Sequence, residues 1–245
     1  MTPDTGKRDE GLHGALAAGL LLVVGLLLAA AGSAPAGESG AEFAPEIDAF
    51  VRLEDRTRLF LAARLKQGLT QGGNDGEVGV HVDVTLTPVL RRRLRYADWE
   101  RDRYLWMRIG YQLIGSLDEP DSSTLEHRGI FEMTARVPLP LDLWLVNRGR
   151  ADLRDVGGDV SARGRYRLGV EREVQVAGVA LVPYAKAEVF YDSRFGTWNR
   201  QIYETGVEIE ITRHWRIEPY YARQEDQSSS LAHLDRVGLI LKYYR

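Results

Sequence analysis

The stretch that decides the fold is the end of the chain, "DRVGLILKYYR", from Asp235 to Arg245. Its side chains alternate, with Val237, Leu239, Leu241 and Tyr243 on one face of a strand and Arg236, Gly238, Ile240 and Lys242 on the other. This two-residue period is typical of a strand with one apolar face. That face contacts a second layer in a soluble sheet and lipid in a membrane barrel, so the rest of the chain has to decide between them.

The same period continues through most of the chain. Two clear examples are "EVGVHVDVTL" (Glu77–Leu86) and "YLWMRIGYQL" (Tyr104–Leu113). The alternating segments run for about 9–12 residues, whereas strands of soluble proteins average about 5–6 residues and a tilted membrane-spanning strand needs about 9–11. Closing such a sheet on itself pairs every strand edge. The sequence therefore predicts an all-β, antiparallel up-and-down transmembrane β-barrel.

The number of strands follows less directly. About eleven segments can be identified, and single-chain bacterial barrels have an even number. We therefore expect 12 strands, with 10 as the alternative. The ambiguous segment is "TPVLRRRLRYADWERDR" (Thr87–Arg103), which either contains a further strand or forms a periplasmic excursion.

The connections between the segments differ in length. Three are short, namely Pro138–Leu141, Val176–Gly178 and Thr212–His214, and four are longer, namely Gly115–Thr124, Asp155–Ala162, Ser193–Asn199 and Glu225–His233. Short turns at one end and longer loops at the other are typical of an outer-membrane barrel.

The N-terminal segment is typical of a secretory signal. Lys7 and Arg8 precede an apolar run from Ala15 to Gly32, and Ala34-Pro35-Ala36 fits the small-residue pattern of a cleavage site. We predict a cleaved signal peptide over residues 1–36, a barrel domain over residues 37–245 and localisation in the outer membrane. An uncleaved anchor is the alternative, because the apolar run approaches the length of a membrane span.

Charged residues recur on the polar face of four successive strands. This charge ladder comprises Arg148, Arg150, Asp152, Arg154, Arg163, Arg165, Arg167, Glu171, Glu173, Lys186, Glu188, Asp192 and Glu204. In a barrel it would line the lumen, with the arginines toward the outer half. It could form a basic constriction that attracts anions. It could equally form crossed ion pairs that fill a narrow lumen.

The last strand also carries a candidate assembly signal, formed by Arg236, Gly238, Leu241 and Tyr243. The pattern resembles the terminal signal by which outer-membrane barrels engage their insertion machinery, although here Tyr244 and Arg245 follow the expected final aromatic residue. The partners expected are outer-membrane lipid, the barrel-insertion machinery and periplasmic chaperones.

Composition excludes several other functions. The chain has no cysteine, which rules out thiol chemistry, and its net charge of −3 gives no basic field for nucleic acid. No histidines have metal-ligand spacing, so we expect no metal and no cofactor.

Two other classes of function remain as alternatives to a narrow channel or a structural barrel. An outer-membrane hydrolase would need a histidine with a serine and an orienting group. The candidates are His81 beside Asp83, an outward His127, and His233 near Ser228–Ser230. No histidine has a convincing serine partner, so the sequence predicts no enzyme. The last class is a periplasmic, lipocalin-like binding barrel with its apolar face inward.

Several phrases together resemble one family. They are "PEIDAFVRLEDRTRLFLAARL" (Pro45–Leu65), "RYLWMRIGY" (Arg103–Tyr111), "EHRGIFEMT" (Glu126–Thr134), "NRGRADLR" (Asn147–Arg154), "RYRLGVERE" (Arg165–Glu173), "PYAKAEVFYDSRFGTWNR" (Pro183–Arg200) and "EPYYARQEDQ" (Glu218–Gln227). In this order they are similar to the bacterial outer-membrane proteins grouped as domain of unknown function 2490. The resemblance implies a signal peptide and an outer-membrane barrel, and it implies no catalytic residue.

Overall fold

The computed structural model describes residues 39–70, 73–86, 104–118, 125–227 and 233–245. The predicted signal peptide and the ambiguous segment Thr87–Arg103 lie outside these ranges. Among the described residues, no helix is long and apolar enough to cross a membrane.

The described chain consists almost entirely of long strands joined by turns. The strands are β1 Ser39–Arg52, β2 Thr57–Gly68, β3 Asn74–Thr85, β4 Leu105–Ser116, β5 Glu126–Pro138, β6 Leu143–Val156, β7 Asp159–Arg172, β8 Val174–Val176, β9 Val179–Asp192, β10 Thr197–Glu210, β11 Trp215–Asp226 and β12 His233–Tyr244. One 3-10 turn, Pro140–Asp142, connects β5 to β6. Every strand except β8 has 12–14 residues.

The strands form one closed sheet, which confirms the predicted barrel. Neighbours along the chain pair antiparallel, and β1 closes the barrel by pairing with β12 from Ser39↔His233 to Phe50↔Tyr244. The described sheet contains twelve strands, the predicted number. However, β7 and β8 both pair with β9, one after the other along its length. The closed wall of the barrel is therefore only eleven strands wide.

The parity argument for an even wall was wrong. An odd number of positions brings the first and last strands together in parallel, as β1 and β12 are. Consequently β1 begins at one end of the barrel and β12 finishes at the other. β3 and β4 pair directly with each other, so they are neighbours in the wall.

Two of the four connections that were predicted to be long loops are short turns. The supposed loop Asp155–Ala162 is a two-residue turn, Gly157-Gly158, whose positive φ angles of 59° and 94° suit a tight hairpin. The supposed loop Ser193–Asn199 shortens to residues 193–196, since β10 begins at Thr197. The longest connection, between β3 and β4, lies at the end of the short turns, where a periplasmic excursion was one of the two expectations for Thr87–Arg103.

The two faces of the wall have opposite character. Apolar side chains on the outer face are exposed by 42–62%, as at Ile47, Val78, Ile109, Phe131, Leu153, Leu168 and Val237. The largest fully buried side chains are polar and point into the lumen, namely His81, Asp83, Asp152 and Asp192. A soluble fold buries its apolar side chains instead. The barrel therefore has an apolar outside and a charged inside.

Candidate functional site

All members of the charge ladder except Glu173 lie on the inner face of the wall. Asp152, Arg154, Arg163, Glu188 and Asp192 are buried. Arg148, Arg150, Arg165, Arg167, Glu171, Lys186 and Glu204 are half-buried on the same inner face. Glu173 differs, because it lies in the break between β7 and β8 and is exposed.

The register of β6 and β7 places like charges directly opposite each other. Arg148 faces Arg167, and Arg150 faces Arg165. Like charges at facing positions of a sheet repel and destabilise it. These four guanidinium groups therefore need carboxylates from other strands.

Glu188 on β9 supplies most of that compensation. Its carboxylate accepts hydrogen bonds from Arg148 Nη2 at 2.7 Å, from Arg165 Nε at 2.8 Å and from Arg167 Nη2 at 2.8 Å. Arg167 is its cross-strand neighbour, whereas Arg148 lies two strands away. One buried carboxylate thus holds three arginines in the middle of the lumen.

A second group of charges fills the lumen toward the β6–β7 turn. Arg154 donates two hydrogen bonds of 2.6 Å to Glu126 and approaches Asp192 at 3.3 Å. Asp192 also accepts hydrogen bonds from Arg163 at 2.9 Å and from Arg194 Nη2 at 2.8 Å. Arg194 lies in the turn after β9, and its hydrogen bonds to Asp192 raise the pKa of its guanidinium group. Glu126 was not included in the predicted ladder, although alternation puts it on the polar face of its strand; its contact with Arg154 follows from the pairing of β5 with β6.

Asp83 on β3 forms another shared carboxylate that sequence reasoning missed. It lies between its cross-strand neighbours Arg58 on β2 and Arg108 on β4. Each arginine donates two hydrogen bonds of 2.6–3.0 Å to it. The guanidinium of Arg58 lies over the Phe50 ring at 4.2 Å and that of Arg108 over the Phe60 ring at 4.1 Å. Such cation–π contacts stabilise desolvated arginines.

Inward rings form a stack across the strands where the barrel closes. Tyr244 on β12 stacks on Phe50 on β1 at 4.8 Å, and Phe50 stacks on Phe60 on β2 at 4.7 Å. His81 on β3 continues the stack at 5.0 Å from Phe60. Tyr244, which departs from the expected terminal pattern, therefore has a structural role at the closing pair of strands.

The acidic side of the lumen is formed by β10 and β11. Lys242 on β12 pairs with both Glu208, at 2.5 Å, and Glu218. Lys186 donates a 3.1 Å hydrogen bond to Glu204. The glutamates of β10 and β11 thus pair with lysines of the adjacent strands β9 and β12.

A cavity of about 450 Å³ remains in the half of the lumen where β12 ends. Its lining combines charged groups with rings. Among them are Phe50, Glu132, Trp144, Val146, Arg148, Arg167, Val182, Tyr184, Lys186, Glu208, Glu218, Lys242 and Tyr244. Arg148 and Arg167 of the Glu188 group line the inner end of this cavity, and the ion pairs of Glu126 and Asp192 lie toward the opposite end of the barrel.

The predicted assembly signal divides between the two faces of β12. Arg236 pairs with Glu42 inside the barrel, and Gly238 lies against the Tyr220 ring. Leu241 and Tyr243 belong to the outer face, where Tyr243 contacts Trp215 with ring centroids 4.8 Å apart. The expected alternation of the last strand is confirmed.

The three histidines considered as catalytic candidates, His81, His127 and His233, lie on β3, β5 and β12. His127 is exposed on the outer face, as predicted, with Nδ1 2.5 Å from Tyr111 Oη. His81 and Asp83 share the inner face, but Asp83 is held by two arginines. His233 lies 3.4 Å from Asp235, and the nearby segment Ser228–Ser230 is outside the described residues. In the ranges that the structure describes, no group of acidic or histidine side chains could hold a metal ion.

No family model matches the chain, and no curated protein matches it. Among solved structures, it is similar to the crystal structure of the β domain of the Bordetella autotransporter Brka. The TM-score is 0.44 and the identity 14%, over 77% of this chain and 83% of that chain. A likeness at this level carries no argument about function, so the fold assignment rests on the strand pairing described above.

Proposed function

We propose that the protein is an integral outer-membrane β-barrel whose lumen is closed at its centre by shared ion pairs. The observation that carries this proposal is the Glu188 group, in which one buried carboxylate holds three arginines from two neighbouring strands. A general diffusion pore needs open, hydrated space at this level. The barrel would therefore act as a closed structural element and not as an enzyme. The cavity of about 450 Å³ at the end where β12 finishes is called the vestibule.

Strand length and surface character support the membrane setting. Twelve residues of a strand tilted by about 45° rise about 28 Å, close to the hydrocarbon thickness of about 30 Å. The apolar outer face is exposed and the inner face is charged. A lipocalin-like binding barrel would have the reverse arrangement, with its apolar face inward. Export would depend on the signal peptide proposed for residues 1–36.

Fractionation tests the membrane part of the proposal. The mature protein should be recovered in the outer membrane and should migrate differently on gels before and after heating, because lipid-embedded barrels resist unfolding by detergent. Recovery in the soluble periplasm would contradict the proposal.

Planar-bilayer recordings test the closed lumen. Refolded wild type should give no steady conductance. Replacing both Arg150 and Arg165 with Ala removes two facing guanidinium groups and should introduce a measurable conductance. A matched variant with Arg52→Ala and Arg213→Ala, which changes two arginines outside the lumen's centre, should stay closed. A porin-like conductance in wild type would contradict the closed lumen.

Recognition by the insertion machinery is a separate proposal, supported by the outward Leu241 and Tyr243. Tyr243→Asp should lower the amount of protein in the outer membrane several-fold and increase its proteolysis. Tyr243→Phe keeps the ring and should behave like wild type. Equal outer-membrane levels for the two variants would exclude Tyr243 as part of a signal.

A further inference from the structure

The floor of the vestibule carries more positive than negative charge. Arg148 and Arg167 line the cavity and share Glu188 with Arg165. Glu132 lies 3.4 Å from Arg148, and Asp152 lies 2.5 Å from Arg150 and 3.9 Å from Arg165. Four guanidinium groups against three carboxylates leave one positive charge. The buried Nε of Arg148 also has no hydrogen-bond partner.

The vestibule also offers apolar surface close to these arginines. Phe50, Trp144, Val146, Val182 and Tyr244 all line it. Such a mixture of rings and a few placed charges is typical of small-molecule sites, and about 450 Å³ falls within their usual range of about 300–1,000 Å³.

Most other charges around the vestibule are already matched. Lys242 bridges Glu208 and Glu218, and Arg216 pairs with Glu208 at 2.9 Å. Arg216 also lies 3.8 Å from Glu210, so these groups have no excess positive charge to offer an anion. The excess positive charge of the cavity lies on the arginine-bearing strands, and at its floor Arg148 and Arg167 lie beside the apolar lining.

We propose that the vestibule binds a small monocarboxylate with an apolar body. The carboxylate would be held by Arg148 and Arg167, since guanidinium groups bind carboxylates with paired hydrogen bonds. The apolar body would lie among the rings. This inference rests on the proposed function, because a lumen closed beyond Glu188 gives the vestibule its floor.

Binding can be measured by titration calorimetry with barrel refolded in detergent micelles, using benzoate as the probe. Benzoate should bind saturably. Benzyl alcohol lacks the charge, benzylammonium reverses it and inorganic phosphate lacks the apolar body, so each should bind at least tenfold more weakly. Equal binding of benzoate and benzyl alcohol, or stronger binding of benzylammonium, would overturn the proposal.

A pair of matched variants locates the site. Arg167→Gln leaves Glu188 held by Arg148 and Arg165, so the barrel should remain folded while benzoate binds at least fivefold more weakly. Arg200→Gln changes a lumen arginine outside the cavity, paired with Asp226, and should leave binding unchanged. The proposal fails if the two variants weaken binding equally, or if folded wild type shows no saturable binding. Such a failure leaves closure and membrane insertion intact, because conductance and fractionation measure those separately.

Discussion

Two carboxylates, Asp83 on β3 and Glu188 on β9, each hold several arginines inside the barrel, but over different distances. Both arginines of Asp83 come from its immediate cross-strand neighbours. Of the three arginines of Glu188, Arg167 on β7 is its cross-strand neighbour and Arg165 lies diagonally from it, also on β7. The third, Arg148, lies two strands away on β6. Asp83 thus stabilises three adjacent strands, whereas Glu188 also neutralises arginines that face each other on β6 and β7.

The difference shows how a narrow barrel can carry many buried arginines. Around Asp83, each guanidinium also contacts an aromatic ring, Phe50 or Phe60. Around Glu188, Arg165 alone has such a contact among the described side chains, with Phe190 at 4.6 Å. The Glu188 group therefore depends more heavily on its single negative charge, and its removal should cost more.

The largest effect is expected from Glu188→Gln. The substitution leaves three arginines in the lumen without their shared carboxylate, and removing one partner of a buried ion pair costs about 3–5 kcal/mol. We expect a loss of about 5 kcal/mol, because Arg148 and Arg167 also face each other. Urea unfolding of the refolded barrel measures it. Glu225→Gln, at an exposed position, is the control, and an equal loss for the two variants would contradict the role given to Glu188.

Asp83→Asn should cost less, about 3 kcal/mol. The reason is that Arg58 and Arg108 keep their positions over Phe50 and Phe60 after the charge is lost. The same unfolding assay applies, with Asp55→Asn as control because the side chain of Asp55 is 96% exposed. If Asp83→Asn proves more damaging than Glu188→Gln, the ranking of the two groups is wrong.

A change near the closing strands should have a smaller effect. A Cβ atom at Gly238 would lie 2.1 Å from carbons of the Tyr220 ring. Gly238→Ala should therefore destabilise the barrel by about 1–3 kcal/mol through overpacking. Gly149→Ala is the matched control, since a Cβ there meets nothing within 4 Å. Wild-type stability of the Gly238 variant would show that Tyr220 moves aside freely.

The sequence predicted the barrel and the inward placement of Glu188 and its three arginines. Alternation identifies which side chains face inward, and it placed Glu188, Arg148, Arg165 and Arg167 together in the lumen. It does not fix the register between strands, even between consecutive ones. Asp83 was therefore recognised only as an inward neighbour of His81, although Arg58 and Arg108 lie directly across from it.

The sequence did not predict the odd number of strand positions in the wall or the tight turn between β6 and β7. Eleven positions follow from the parallel pairing of β1 with β12, which joins opposite ends of the chain and leaves no local signal. The turn at Gly157-Gly158 did have a local signal, because two glycines suit a tight hairpin. Its polar flanks were interpreted as loop instead.

The smallest effect concerns the ring stack that extends from the closing strands to the Asp83 group. Tyr244→Leu removes the ring that stacks on Phe50, while Phe50 remains under the guanidinium of Arg58. Aromatic pairs contribute about 0.5–1.5 kcal/mol beyond their buried area. A double-mutant cycle of Tyr244→Leu with Phe50→Leu should therefore give a coupling free energy of about 1 kcal/mol in urea unfolding. A coupling indistinguishable from zero would mean that the backbone pairing of β1 with β12 closes the barrel without help from the rings, and that the Asp83 group is independent of the closing strands.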